Sequence, residues 1–231
     1  GGGTTTIAIA RSVAPDGMAL GVDIAPDLVG VASRRAAEGE IGNARFLCAD
    51  AATVHLPDAP YDRLFSRFGS MFFDDPVAAF TNLHSLLRAG GRIDLAVWGP
   101  PRDNPWMMET INVARNHVDL PPRVPRAPGP FAFEDLDYLE EILTDAGFSG
   151  LEISERVEIL PLGGPGSSPE QAVRFALAAL AFGPALAEQG EEVRAAAARE
   201  MRSLFEKHHD PTNGVTMPGK AWLVSASAAT R

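Results

Sequence analysis

Residues 1–36 read GGGTTTIAIARSVAPDGMALGVDIAPDLVGVASRRA, and their order decides the fold. Three glycines stand before Thr4 to Ala14, a stretch that reads as a helix stopped by the turn signal Pro15-Asp16-Gly17. Ala19 to Ile24 is then a short apolar run ending near an acid, as a buried parallel strand would. Pro26 to Glu38 is helical again, with proline in its first turn and Asp27 suited to the helix dipole there. A helix behind a glycine turn offers free backbone N–H groups and a positive dipole end. Asp23 follows Gly3 by twenty residues, at the end of the next strand. An open α/β sheet places there a carboxylate that accepts both hydroxyls of a ribose.

Working outward, the same alternation continues. Ala44 to Ala49 reads as a strand ending at Asp50, and Tyr61 to Ser66 as another, followed by a Phe-rich loop. A helix is expected from about Asp75 to Arg88, closed by Ala89-Gly90-Gly91, and a strand from Arg92 to Trp98. Strands separated by such helices imply βαβ units with right-handed crossovers. Then the pattern changes: residues 99–133 hold eight prolines around one helix, Trp106 to Val118. Glu134 to Ala146 is an amphipathic helix ended by Gly147, and Leu151 to Ile159 a strand. Gly163 to Pro169 reads as a hinge before helices at about Pro169 to Gln189 and Glu191 to His208, and Ala221 to Ala228 as a last strand.

Composition narrows the function. The chain has 231 residues, 45% of them apolar, which is enough for a sizeable core. A net charge of −10 argues against a nucleic-acid backbone as main partner, because counterion release needs clustered Lys and Arg. The longest apolar run, Phe175 to Ala187, is too short for a bilayer and is broken by Gly183-Pro184, so no membrane span is expected. One cysteine makes neither an internal disulfide nor a cysteine-based zinc site. No signal-like segment opens the sequence, so the expected location is cytoplasmic. A dinucleotide fingerprint starting at Gly1 would need Gly or Ala at position 6, where Thr6 stands.

Together these residues resemble the class I S-adenosylmethionine-dependent methyltransferases, in the small-molecule branch of the ubiquinone/menaquinone-biosynthesis enzymes. Residues 1–36 look like the tail of motif I and all of motif II, ARFLCADA like motif III, and YDRLFSRFGSMFFDDP like motif IV with its loop. LLRAGGRIDLAVW resembles the motif V turn and strand, and DLDYLEEILTDAGFSGLEI the helix and strand that follow. The resemblance implies an α/β, Rossmann-like, mostly parallel sheet with its last strand antiparallel and a helical lid inserted before that strand. The cofactor domain would be 1–159 plus 219–231, and the lid 99–133 and 160–218. In this fold the strand leading into the glycines is central, so a segment of about 30 to 50 residues with a helix and an apolar strand is expected before Gly1.

Carried over, Gly1, Gly3 and Thr4 would let backbone approach the methionyl part of S-adenosylmethionine. Asp23 would take the ribose hydroxyls, Ile24 would pack on the adenine, and Asp50 with the Ala51 N–H would meet its polar edge. Ser66 and Arg67 would present carbonyls near the methionyl ammonium and sulfonium. Methyl transfer from a sulfonium disperses charge, so positioning in a dry site supplies much of the rate. A base matters only for an acceptor that must lose a proton, such as a hydroxyl. His117 and Asp103 are the candidate catalytic residues; His84, Asp74 and Asp75 are further ones. A small-molecule acceptor would meet Phe68, Met71, Phe72, Trp98 and Trp106, an aromatic and thioether wall suited to a flat or apolar compound. The segment after the fourth strand, Ser66-Arg67-Phe68-Gly69, has neither the Asn/Asp-Pro-Pro signature of DNA amino-methyltransferases nor the carboxylate of catechol-type enzymes, so no metal is expected. A homodimer is allowed for. The rival functions are a non-catalytic module of this fold that serves a protein partner, and a nicotinamide-dependent oxidoreductase.

Overall fold

Small residues shape the first part of the chain by letting its helices lie directly on its strands. The computed structural model describes residues 1–56 and 58–228. β1 (Ala19–Asp23) and β2 (Ala44–Cys48) pair in parallel, with Asp23 opposite Cys48, and α2 (Pro26–Glu38) is the crossover between them. α1 (Thr4–Val13) precedes β1. A Cβ at Gly21 would lie 2.7 Å from Thr6 Oγ1 and 2.9 Å from the Phe46 ring, and one at Gly3 would lie 2.7 Å from Ala32 Cβ. Only glycine leaves room at either point, and Gly3 also takes φ 83 as the N-cap of α1, a conformation that side chains disfavour. Ala10, Ala32 and Ala36 are buried on the facing helix sides.

A larger sheet runs in the order β3-β4-β7-β5, with β6 beside β7. β3 (Tyr61–Arg67) and β4 (Leu87–Trp98) are parallel, joined by α3 (Pro76–Ser85), whose N-cap Asp75 accepts the Ala78 N–H at 2.9 Å. α4 (Pro105–Arg115), α5 (Leu136–Asp145) and β5 (Phe148–Pro161) follow. α5 buries Leu139, Ile142 and Leu143, one stripe of a 3.6-residue period. β6 (His209–Asp210) pairs antiparallel with β7 (Gly214–Ala228). The Gly99 N–H donates to the Lys220 carbonyl at 2.9 Å and Ser225 Oγ to Asp94 at 2.6 Å, so numbering falls on one chain as it rises on the other. β7 is therefore antiparallel to β4. The class is α/β, a mostly parallel sheet with one antiparallel strand and a helical insertion before it.

The chain divides into two compact units. One holds Gly1–Ala96, Leu136–Ile153 and the chain from Val224; the other holds Val97–Asp135 and Ser154–Leu223. The second has its own core, in which Trp106 and Met107 of α4 join Phe182, Leu186, Met201, Phe205 and Met217. α6 (Pro169–Ala179), α7 (Phe182–Glu188) and α8 (Glu191–Glu206) carry most of that core. Among the described residues no helix is long and apolar enough to cross a membrane.

Several boundaries differ from expectation for physical reasons. The helix expected to reach Arg88 stops at Ser85, because the Tyr61 N–H takes the Leu86 carbonyl at 2.8 Å and Leu87 pairs with Tyr61. Ala89-Gly90-Gly91 is then no helix end but a bulge inside β4, where the register steps from Tyr61↔Leu87 to Arg63↔Arg92. The single helix expected from Pro169 to Gln189 is two, α6 opening with a Ser168–Gln171 capping box and α7 holding Gly183-Pro184 in its first turn. β7 starts at Gly214, seven residues earlier than expected, and runs through Pro218-Gly219, which reads as a turn in the sequence. A Cβ at Gly219 would lie 2.4 Å from Leu160 Cδ1, so glycine there serves close packing rather than a turn. Residues 229–231 of the expected cofactor domain lie outside the described residues.

Two glycine substitutions test the packing in opposite directions. Gly21→Val is expected to lower unfolding free energy by about 1–3 kcal/mol through overpacking against Thr6 and Phe46. Gly30→Ala, inside α2 with nothing within 4 Å of the added carbon, is expected to raise it by about 0.5–1 kcal/mol. Denaturant titration of both variants measures each sign.

Candidate functional site

Two acids mark the C-terminal ends of β1 and β2, and the backbone uses them alike. Asp23 Oδ1 accepts the Ala25 N–H at 2.8 Å, and Asp50 Oδ1 accepts the Ala52 N–H at 2.8 Å. Each carboxylate thus spends one oxygen on the turn that follows its own strand. The second Asp23 oxygen lies against the Gly1 amino group. Ile24, the next residue, is 71% exposed, an unusual position for an isoleucine beside a strand end. The glycine turn is held by Arg35 of α2, which donates to the Gly2 carbonyl at 2.9 Å, and no side chain caps the start of α1. The Ala51 loop is held by Asn82 of α3, which donates to the carbonyls of Ala51 and Val54 at 3.3 and 3.1 Å.

The end of β3 is strained. Phe68 takes φ 58 while its N–H donates to the Ala96 carbonyl at 2.8 Å, a left-handed conformation that a non-glycine residue adopts only when its surroundings impose it. Ser66 Oγ accepts the Ser70 N–H at 3.1 Å and stabilises the turn. Thr4 and Arg67 come together in one cleft of about 360 Å³, lined also by Thr5, Ala8, Ile9, Ser12 and Phe65. The expected aromatic wall divides here: Met71 is 1% exposed and belongs to the core, while Phe72 is 53% exposed.

Trp98, Trp106, Asp103 and His117 lie in the second unit. Trp98 and Trp106 pack with ring centroids 5.2 Å apart, but Trp106 is buried and its indole N–H donates to Asn104 at 3.2 Å. Asp103 lies 3.6 Å from Lys220 Nζ and 3.9 Å from Arg102. Lys220 also meets Glu155 at 2.8 Å and sits over the Trp222 ring. Its hydrogen bond to Glu155 holds the ammonium above the usual lysine value, against the cost of its desolvation. His117 Nε2 is 2.7 Å from Glu200 Oε2, and Asn116 donates to the other oxygen at 2.7 Å. The His117 contact first, and then Asn116, hold Glu200 below the ordinary carboxylate value. Outside that unit, His84 packs edge-on to Phe148, its Nε2 buried without a hydrogen-bond partner among the described residues, and Asp75 serves as a helix cap. Among the described residues no three His, Cys, Asp or Glu side chains gather as a metal site.

Residues 1–91 match the family model described as a methyltransferase domain. Over that stretch the chain is similar to the class I methyltransferases. The demethylmenaquinone methyltransferase of Thermus thermophilus is 36% identical over 88 residues, covering 38% of this chain and 40% of that protein. The nocamycin O-methyltransferase of Saccharothrix syringae is 28% identical over 178 residues, 71% of this chain and 61% of that one. The matched stretches therefore span less than two thirds of these relatives. A solved structure from Bacillus halodurans C-125, itself a proposed methyltransferase, aligns over 100% of this chain and 90% of its own with TM-score 0.58 at 16% identity, a likeness of fold.

Asn104 is the residue that sequence reasoning missed. Fully buried, its Nδ2 faces the carbonyls of Gly99, Pro100 and Lys220 at 3.1, 3.2 and 3.0 Å, and its Oδ1 accepts from Trp106 and the Lys220 N–H. The only sequence signal was an Asn-Pro pair, which reads as a turn. Asn104→Ala is expected to cost about 2–4 kcal/mol by orphaning buried donors and acceptors. Asn104→Asp is expected to cost more at neutral pH, where its carboxylate faces carbonyls, and to recover partly as acid protonates it; denaturant titration at two pH values reads both. A second outcome concerns Glu200: its depressed carboxyl contributes stability that is present at neutral pH and lost as pH falls through its folded value. In His117→Leu the Glu200 midpoint, read by carbon NMR, is expected to rise towards the ordinary carboxylate value.

Proposed function

We propose that this chain is an S-adenosylmethionine-dependent methyltransferase acting on a small organic acceptor. The observation that carries the reading is the pair Asp23 and Asp50, on the ends of adjacent parallel strands with exposed Ile24 beside the first. A ribose diol needs an acid fixed in direction, and the Ala25 N–H fixes Asp23. An adenine ring needs an apolar surface, which Ile24 presents, and a polar edge partner, which Asp50 and the Ala51 N–H offer. These groups fit the nucleoside, with Gly3, Thr4, Ser66 and Arg67 assigned to the methionyl part.

S-adenosylmethionine would supply a methyl group on a sulfonium, whose carbon–sulfur bonding pair returns to sulfur as the acceptor's lone pair forms the new bond. The task left to the protein is orientation and the exclusion of water. We assign donor binding to the part of residues 1–159 that carries Asp23 and Asp50, and Phe68 and Phe72 to the acceptor; Met71 and Trp106 are buried in the cores of their own units and are not assigned to it. The relatives named for demethylmenaquinone and nocamycin support a small organic acceptor. Where the acceptor is a hydroxyl, His117 or Asp103 would take its proton; each is already hydrogen-bonded or ion-paired, so either would act as part of a pair.

Calorimetry is expected to show micromolar binding of S-adenosylmethionine or its demethylated product, weakened at least about 100-fold in Asp23→Ala by loss of the ionised hydrogen-bond acceptor. Absence of binding by the folded protein would sink the reading. Binding without transfer of radiolabelled methyl to any compound of a cell extract would leave the non-catalytic module instead.

A further inference from the structure

The groove between α6 and α8 combines features that the methyl-transfer reading does not use. It is a surface cleft of about 450 Å³ in the second unit. α6 contributes Glu170, Val173, Arg174 and Leu177, and α8 contributes Glu191, Arg194, Ala195, Ala198, Arg199 and Arg202. Both sets follow the spacing of one helical stripe, about 10 Å long on α6 and about 16 Å on α8 at the usual rise. The Arg202–Glu170 ion pair, 3.0 Å, joins the C-terminal part of α8 to the start of α6 and makes the helices antiparallel. Arg174 and Arg199 then stand at the same level on opposite banks.

Charge on the banks is uneven. Arg202 is paired with Glu170 and Glu206, and Arg194 with Glu191. Arg174 and Arg199 have no carboxylate within ion-pair distance among the described residues. Glu170, one turn before Arg174, acts on it through space, yet four arginines against two glutamates leave the lining net positive in a chain of net charge −10. Between them the floor is apolar: half-buried Leu177, Ala195 and Ala198 beside Val173, which belongs to the core below, the alanines keeping it shallow enough for a further backbone to approach. A small free anion would neutralise the arginines and leave the floor uncovered. A helix laid along the groove covers both.

We infer that the α6/α8 groove docks an acidic amphipathic helix of a partner protein, whose carboxylates bridge Arg174 and Arg199 while its apolar residues cover Val173, Leu177, Ala195 and Ala198. Occupancy neutralises the facing guanidiniums by bidentate pairing and removes the floor from water. The interaction is independent of methyl donor and acceptor.

The probe is a capped, fluorescein-labelled helical peptide with glutamates one turn apart beside a leucine stripe, read by anisotropy with no methyl donor present. Binding is expected to weaken at least about tenfold in Arg174→Gln/Arg199→Gln, and similarly between about 50 and about 500 mM salt, where surface pairs are screened. Arg174→Glu/Arg199→Glu is expected to exchange preference to the same peptide with lysine for glutamate, which an unfolded variant could not do. Equal binding by wild type and the Gln pair overturns the proposal. So does full displacement of the peptide by millimolar glutarate, which marks a small-anion site, and so does sedimentation showing a dimer that the Gln pair dissolves, which makes the occupant a second copy.

Discussion

The second unit is tied together by one side chain, the carboxamide of Asn104. β4 leaves the sheet at Gly99, turns at Pro100 and Pro101, and enters α4, while β7 passes alongside at Lys220. The turn brings the carbonyls of Gly99, Pro100 and Lys220 together, the Lys220 carbonyl already accepting the Gly99 N–H and the Pro100 carbonyl the Asp103 N–H, and the Asn104 amide lies within hydrogen-bond distance of all three. Its oxygen takes the Lys220 and Trp106 N–H groups in return. Buried polar groups left unpaired are costly, so this single satisfied junction sets where α4 begins and how Trp106 enters the core. Lys220 emerges at the same place and gathers Asp103, Glu155 and Trp222 around it.

The first unit depends on a different constraint, the absence of side chains. Gly3 and Gly21 admit Ala32 and Thr6 to distances no other residue would allow, which lays α1 on β1 and the turn before it against the middle of α2. Asp23, Ile24 and Asp50 emerge at the C-terminal ends of β1 and β2. Chemistry and packing share residues here, since the glycine that permits the close approach also leaves the N-terminal amides of α1 without a side-chain cap.

Much of this was legible from local pattern. The limits of α2 match exactly, and those of α1, β1 and β2 to within one residue, because apolar period, proline at a helix start and turn dipeptides are local signals. The strand-end acids were equally visible, since strand length alone places them. What failed was non-local. Ala89-Gly90-Gly91 has the composition of a helix end, yet pairing of Leu87 with Tyr61 draws it into a strand. Pro218-Gly219 has the composition of a turn, yet Leu160 and Trp106 close over that glycine inside β7. Met71 and Phe72 are alike as apolar neighbours, and only packing assigned one to the core and the other to the surface.

The division follows the range of the forces. Sequence by itself determined the order of strands and helices and the acids that end β1 and β2, because each rests on patterns within a few residues. Tertiary structure alone decided that Asn104 would hold a junction, that His117 would be committed to Glu200 across 83 positions, and that Arg174 and Arg199 would line one groove. Those outcomes depend on which distant groups arrive at the same place, and no local period carries that information.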